Sequence, residues 1–366
     1  MVTSTEYDDS LKAFIQLCSE RDLLTQAEGL EDGDLDDGIS DPFTLLYVGV
    51  TPLPPCFALF GVHINRRFLT ARGFNVDAAF KQFDEASQFR REKHIVRLYD
   101  IVEITDFEQA RQFYPHWTGR RDRRGLPICM FDLSCLDKKN LACWEQTRHT
   151  ASWSDSQYKA NMPPKPDMLQ LASVYHDSLT RLVFPLCSMM TDRPNPSLPI
   201  TSSIYLVDAS DLGLKQGWSL KYFAKSISWL LSTCYPETIQ RVYVCNAPSY
   251  FSTIWKYLKS WVDKNTAEKI VVLSSPEVLP ALEEYIDDTN IPTAFGGGFS
   301  FKHGMLPELD HNIWQHFSWK LPSRSLPPGP IKWTEDADGR KIAIAVGGQA
   351  GSKRSEKIAI LDIINE

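Results

Sequence analysis

The sequence predicts an α/β protein: a mixed, largely parallel sheet alternating with helices, behind a helical N-terminal region. Three observations carry this. Residues 202–286 alternate short apolar strand-like runs with helical patterns. Residues 66–94 place Ala79, Phe80, Phe83 and Ala86 at helical spacing. A chain of 366 residues, 43% hydrophobic, supplies apolar surface for one or two full cores.

Residues 1–42 open with the helical pattern "LKAFIQLCSERDLL" and pass into the acidic linker "EGLEDGDLDDGISDP". Asp32, Asp34 and Asp36 are spaced like a calcium loop, but the glycine position holds Asp37 and the closing glutamate position holds Phe43. A solvated linker is expected there. The run "FTLLYVGVTPLPPCFALFGV" (43–62) is long enough to suggest a membrane span, yet its three prolines and two glycines spoil the helix even in lipid. In "RRFLTARGFNVDAAFKQFDEASQFRREKH", Asn75 is placed to cap a helix. "YPHWTGRRDRRGLPICMFDL" reads as a charged turn followed by a strand at 128–133, and a long helix runs from about Met168 to Met190. Then strand 202–208 precedes the helix "SLKYFAKSISWLLSTCY", strand 241–247 precedes a very apolar helix, and strand 269–273 precedes "PEVLPALEEYI". "IKWTEDADGRKIAIAV" reads as a hairpin turning at Asp338-Gly339.

A net charge of −7 argues against a general nucleic-acid binder. The eight cysteines form no CxxC pair and no apolar leader opens the chain, so reduced thiols in the cytosol are expected. Enzyme signatures fail one by one. "GGQAGSKRS" is one residue short of a phosphate loop, "FGGGF" follows a helix, and neither GxSxG nor HExxH occurs. His311 and His316, five apart, do not share a helical face. Catalysis and a resident cofactor or metal are therefore not expected.

Two segments call for another explanation. Between Phe251 and Asp263, Ser252, Lys256, Lys259 and Asp263 make one narrow polar stripe, while Phe251, Ile254, Trp255, Tyr257, Leu258, Trp261 and Val262 cover most of the rest. A helix on a globular core needs only one apolar face, so the surplus must touch something else. Glu237 stands just before one strand, and Lys269 opens the next, near Thr266. Spacing alone allows two readings: a site for a polyol phosphate, or a surface ion pair of small weight.

The stretch "CYPETIQRVYVCNAPSYFSTIWKYLKSWVDKNTAEKI", with "LPALEEYIDDTNIPTAFGG", resembles the CRAL-TRIO family, and within it the yeast-type phosphatidylinositol transfer proteins. The likeness is strong over 200–297 and extends more weakly to "YPHWTGRRDRRGLPI" and "RFLTARGFNVDAAF". It implies an N-terminal helical bundle and a lipid-binding α/β domain whose pocket is closed by a mobile gate helix, matched here by Phe251, Ile254, Trp255, Leu258, Trp261 and Val262. One apolar face would cover an acyl chain and the other would meet the bilayer. The family's headgroup site carries over to Arg72, Asp122, Glu237, Thr266 and Lys269, with Gly73 standing where a lysine is usual. At the phosphatidylcholine site, Thr118 and Cys129 stand in place of two tyrosines; Ser203 is kept, but Tyr205 replaces a threonine. Without aromatic rings such a box binds choline poorly.

The resemblance thus implies a cytoplasmic protein that binds phosphatidylinositol, docks transiently on membranes, and benefits lipid kinases indirectly by presenting their substrate. Two rivals remain: the same fold carrying a sterol or haem, the latter through Tyr205, and an adaptor that senses lipid without transferring it. Arg120, Arg121, Arg123 and Arg124 around Asp122 read as a solvated turn or as an attraction to anionic lipid. "DPFTLL" and "RFLTARGF" would join into the family pattern if 47–66 were removed, so that segment reads as an insertion or a translated intron. The expected organisation is an N-terminal helix and linker (1–42), a helical region (43–110), the lipid-binding domain (111–300) and a C-terminal extension with a hairpin (301–366).

Overall fold

The computed structural model describes residues 4–21, 23, 67–137, 139, 142, 166–213, 215–216 and 220–360. The acidic linker, the 47–66 segment and the stretch 143–165 lie outside the described residues.

Helix α1 (Ser4–Glu20) packs on α2 (Val76–Glu92), with Phe14 edge-on to Phe83 at 5.8 Å. As its spacing predicts, Asn75 caps α2, accepting from the Ala78 N–H at 2.9 Å. Short helices α3 (Ile95–Ile101) and α4 (Ile104–Arg111) follow. The long helix expected from Met168 is continuous but not uniform: α5 (Met168–Ser178) runs through a π-turn (Leu179–Val183) into α6 (Phe184–Met189). Asp167 and Gln170 close a reciprocal capping box at its start.

Strands β1 (His116–Arg121), β2 (Pro127–Asp132), β3 (Ser203–Asp208), β4 (Ile239–Cys245) and β5 (Ile270–Val272) lie in that order, and only β1 is antiparallel to its neighbour. Between the parallel strands run α7 (Lys221–Cys234), then α8 (Phe251–Leu258), a 3-10 turn (Lys259–Trp261) and α9 (Lys264–Glu268). Alternation divides the sheet into two buried faces. Ile128, Met130, Ile204, Leu206 and Tyr243 pack with Val278 and Leu282 of α10 (Ser275–Glu283) and with Phe295 and Phe299. Cys129, Phe131, Tyr205, Val207 and Val244 face a larger core shared with the N-terminal helices and α8.

Helix α11 (His311–His316) leads to a second, antiparallel sheet ordered β6 (Ser318–Trp319), β9 (Ser352–Ile360), β8 (Lys341–Gln349), β7 (Ile331–Glu335). The β7–β8 hairpin closes over 336–340, where the Asp336 N–H donates to the Arg340 carbonyl at 2.9 Å. The "GGQAGSKRS" segment forms the β8–β9 turn and its flanking strands. This sheet joins the helical region through buried polar bonds. Lys332 Nζ lies 2.7 Å from Asp100, and the Tyr99 hydroxyl donates to the Ile331 carbonyl at 2.6 Å.

Candidate functional site

The turn from α7 into β4 carries Glu237, and the end of α9 carries Lys269, each just before one of two neighbouring strands. Their side chains meet: Lys269 Nζ lies 2.9 Å from Glu237 Oε2, with the two side chains 27% and 29% exposed. Arg72 and Thr266 line the same small cleft, with Tyr235, Pro236, Thr238 and Asp263. Four of the five expected headgroup residues therefore share one site. Thr266 is placed by Asp263, whose carboxylate accepts from the Asn265 and Thr266 N–H groups at 3.0 and 3.2 Å. Asp263 thus caps α9 and does not extend the polar stripe of the helix before it. Lys269, at the C-terminal end of α9, lies where a helix favours a cation. Gly73, in place of the usual lysine, has a φ of +58° and faces open space.

Asp122 is not brought to this cleft. It occupies the β1–β2 turn, at the opposite edge of the sheet. Its carboxylate accepts from the Arg124 and Leu126 N–H groups at 2.9 and 2.8 Å and from Arg124 Nε at 2.9 Å. Burial nevertheless raises its pKa, against the lowering effect of those bonds. The arginines around it are also engaged. Arg120 pairs with Glu308 at 2.8 Å, Arg121 with Asp192 and Asp310 at 2.8 Å, and Arg123 with Asp287 at 2.7 Å. Arg120 and Arg121 are buried, so they form neither a solvated turn nor a patch open to a membrane.

The expected pocket residues Thr118, Cys129, Ser203 and Tyr205 are all buried on β1, β2 and β3, with Cys129 and Tyr205 in register. The Thr118 hydroxyl donates to the Ile128 carbonyl at 3.0 Å, and Ser203 Oγ to the Thr238 carbonyl at 3.3 Å. Burial pushes the Cys129 thiol and the Tyr205 phenol up. The Tyr205 hydroxyl points toward Ser203, but no nitrogen or oxygen among the described residues meets it with hydrogen-bond geometry.

The apolar helix is shorter than its pattern suggests. After Leu258 it tightens into the 3-10 turn, and Val262 leaves in extended conformation at ψ 137°, so Trp261 and Val262 do not lie on α8 itself. Phe251, Ile254 and Leu258 are buried, whereas Trp255, Tyr257 and Trp261 are half-buried against the same core. The solvent face is Ser252, Thr253, Lys256, Lys259 and Ser260. The surplus apolar face is thus mostly covered in this arrangement. The turn that follows α8 is held to α7, with the Asp263 N–H donating to Ser228 Oγ at 2.8 Å and Lys221 Nζ over the Trp261 ring at 5.2 Å.

A parallel-rich sheet, helices on both faces and a polar cleft at the amino ends of β4 and β5 define the class. The CRAL/TRIO domain matches residues 112–297, just over half of the 366, and the chain belongs to that family. It is similar to the Sec14 cytosolic factor of Schizosaccharomyces pombe, 27% identical over 254 residues that cover 69% of this chain and 80% of that protein. It is also similar to the phosphatidylinositol/phosphatidylcholine transfer protein SFH11 of Arabidopsis thaliana, 25% identical over 255 residues, 68% of this chain and 60% of that one. Protein real-time of Anopheles gambiae is 26% identical over 241 residues, 63% of this chain; the match spans only 31% of that longer relative. The crystal structure of Sfh5 superposes with a TM-score of 0.52 at 13% identity, covering 85% of this chain and 94% of that one, and shares the fold. Among the described residues no helix is long and apolar enough to cross a membrane.

Proposed function

We propose that the protein binds phosphatidylinositol and transfers it between membranes, without covalent chemistry. The observation that carries this reading is the convergence of Arg72, Glu237, Thr266 and Lys269 on one cleft, in a chain similar to proteins named as phosphatidylinositol/phosphatidylcholine transfer proteins. Two cations suit a phosphate, while a hydroxyl and a carboxylate suit ring hydroxyls. The cleft has a volume of about 60 Å³, enough for roughly two waters. A phosphoinositol therefore opens the Glu237–Lys269 pair on entry: the phosphate takes Lys269 and a ring hydroxyl takes Glu237. The acyl chains lie in the core beneath α8, which acts as the gate, and Lys256 and Lys259 meet the anionic membrane surface as it opens. Exchange follows mass action, because the chains are buried comparably in protein and bilayer.

Phosphatidylcholine is disfavoured. The polar groups at Thr118 and Ser203 are bonded to backbone carbonyls, and Thr118 and Cys129 offer no aromatic ring to a quaternary ammonium. The Tyr205 phenol, which has no hydrogen-bond partner among the described residues, suits a neutral oxygen acceptor on a second ligand. Burial also works against the phenolate that haem iron would take from Tyr205. Mass spectrometry of lipid co-purifying with the full chain tests this. Phosphatidylinositol enriched over its membrane abundance, with phosphatidylcholine depleted, is expected; phosphatidylcholine as the main lipid, or a Soret band from bound haem, contradicts it.

A further inference from the structure

Glu237 carries its charge into the cleft from a backbone conformation that L-residues avoid, with φ at +60°. Such a conformation persists where its neighbours over-determine it, and here both flanks are pinned. On one side Tyr235 is 1% exposed. Its hydroxyl donates to Asp177 Oδ1 and accepts from the Arg90 guanidinium at 2.9 Å. Arg90 in turn grips both oxygens of Asp177, at 2.8 and 3.0 Å. On the other side the Thr238 hydroxyl donates to the Tyr235 carbonyl at 2.8 Å, and the Thr238 carbonyl accepts from the Ser203 N–H at 3.0 Å. Pro236 between them removes one more backbone freedom. Helix α2 also reaches the end of α7, where Gln82 Nε2 donates to the Ser232 carbonyl at 2.7 Å.

Elements from three parts of the chain (α2, α5 and β3) thus converge on the four residues 235–238. Apolar side chains of similar volume would join these elements at least as stably as a buried ion pair. What a bidentate, charge-assisted pair adds is a fixed direction. We infer that Tyr235, Arg90 and Asp177 are positioning residues: the buried triad holds the 235–238 turn so that Glu237 keeps its left-handed conformation beside Lys269, and thereby sets the affinity for a phosphorylated headgroup. This rests on the reading of the cleft given above. Its consequence is that the helical region shapes the site twice, directly through Arg72 and indirectly through Arg90.

The test compares wild type, Tyr235→Phe, Glu237→Gly and the double variant as full chains, with Arg90→Lys as a second probe of the triad. Tyr235→Phe deletes one hydroxyl and leaves the Arg90–Asp177 pair; Arg90→Lys keeps the charge and loses the fork. Glycine adopts φ +60° freely, so Glu237→Gly raises the wild-type Tm by about 2 °C, and this gain disappears in the Tyr235→Phe background. In transfer of labelled phosphatidylinositol between vesicles, Tyr235→Phe and Arg90→Lys raise the apparent KM roughly tenfold with little change in maximal rate. An equal Tm gain in both backgrounds, or a wild-type KM in whichever triad variants fold, overturns the inference. If wild type itself moves no phosphatidylinositol, the reading of the cleft fails instead, and the thermal cycle alone decides the positioning claim.

Discussion

Lys269 and Glu237 illustrate how little a single contact says by itself. A pair 2.9 Å apart with both side chains more than a quarter exposed contributes at most about 1 kcal/mol to stability, so its placement beside Arg72 and Thr266 is what gives it meaning. His176 offers a sharper residue-scale expectation. It is packed against the Tyr235 ring at 4.2 Å, and burial, followed by the charges of Arg67 and Arg90, lowers its pKa from 6.5 to about 3. The unfolded chain therefore binds a proton at this site between those values and the folded chain does not, so stability is complete above pH 6.5 and is lost as pH falls toward 3. Melting curves should show the midpoint of His176→Asn falling less steeply over that window than that of wild type; parallel curves would contradict the assignment. Glu237, Thr266 and Lys269 were legible in the sequence because they lie within one continuous family-like segment. The triad was not, since its members stand 87 and 58 residues apart and only the fold makes them neighbours. Asp122 shows the opposite failure: a turn that satisfies its own carboxylate looks, as sequence, like a ligand-binding turn.

Among the elements, α8 concentrates the functional claim. Its periodicity correctly separated a buried edge at Phe251, Ile254 and Leu258 from a polar stripe at Ser252, Lys256 and Lys259. Periodicity could not show where the helix stops, because the 3-10 tightening depends on the contact with α7 and on Asp263 starting the next helix. If α8 is the gate, tethering its far end to α7 must halt exchange. Cysteines at Ser228 and Ser260, joined by a short reducible cross-linker, provide that tether. The background would carry serine at Cys56, Cys135 and Cys143; burial pushes the Cys18 and Cys187 thiols up to about 12 and keeps them unreactive. Transfer should stop on cross-linking and return on reduction, whereas exchange at an unchanged rate would mean that another element opens the pocket. The alternation of strands and helices from 202 onward was also legible, because a parallel sheet covered on both faces demands long apolar runs and intervening helices. The π-turn inside the long helix was not, because Leu179–Val183 is buried throughout, so its apolar pattern does not mark a change of winding.

At the scale of the whole molecule, the cleft lies at the amino ends of β4 and β5, although ligands on open α/β sheets usually gather at the carboxyl ends. The helical region contributes on that side by bringing Arg72 to the cleft and Arg90 to the Tyr235 hydroxyl. The C-terminal extension is equally integral. The Glu308 and Asp310 N–H groups donate to the Thr118 and Gly119 carbonyls of β1 at 2.9 and 3.1 Å, so closely that a Cβ at Gly119 would lie 2.2 Å from the Glu308 carbonyl oxygen. Its hairpin was readable from Asp338-Gly339; its packing against Tyr99 and Asp100 was not, because those bonds join residues 232 apart. These parts serve one claim, that a charged cleft selects phosphatidylinositol for carriage between membranes. Transfer of labelled phosphatidylinositol and phosphatidylcholine between vesicles, at protein levels far below lipid, tests it most directly. Wild type should move phosphatidylinositol in preference, and Lys269→Glu, which replaces the phosphate's cation with a repelling charge at a cost of roughly 2–5 kcal/mol, should reduce that transfer by ~30-fold or more while Tm falls by only about 2–4 °C. Absence of phosphatidylinositol transfer by wild type, or transfer unchanged in Lys269→Glu, would contradict the account.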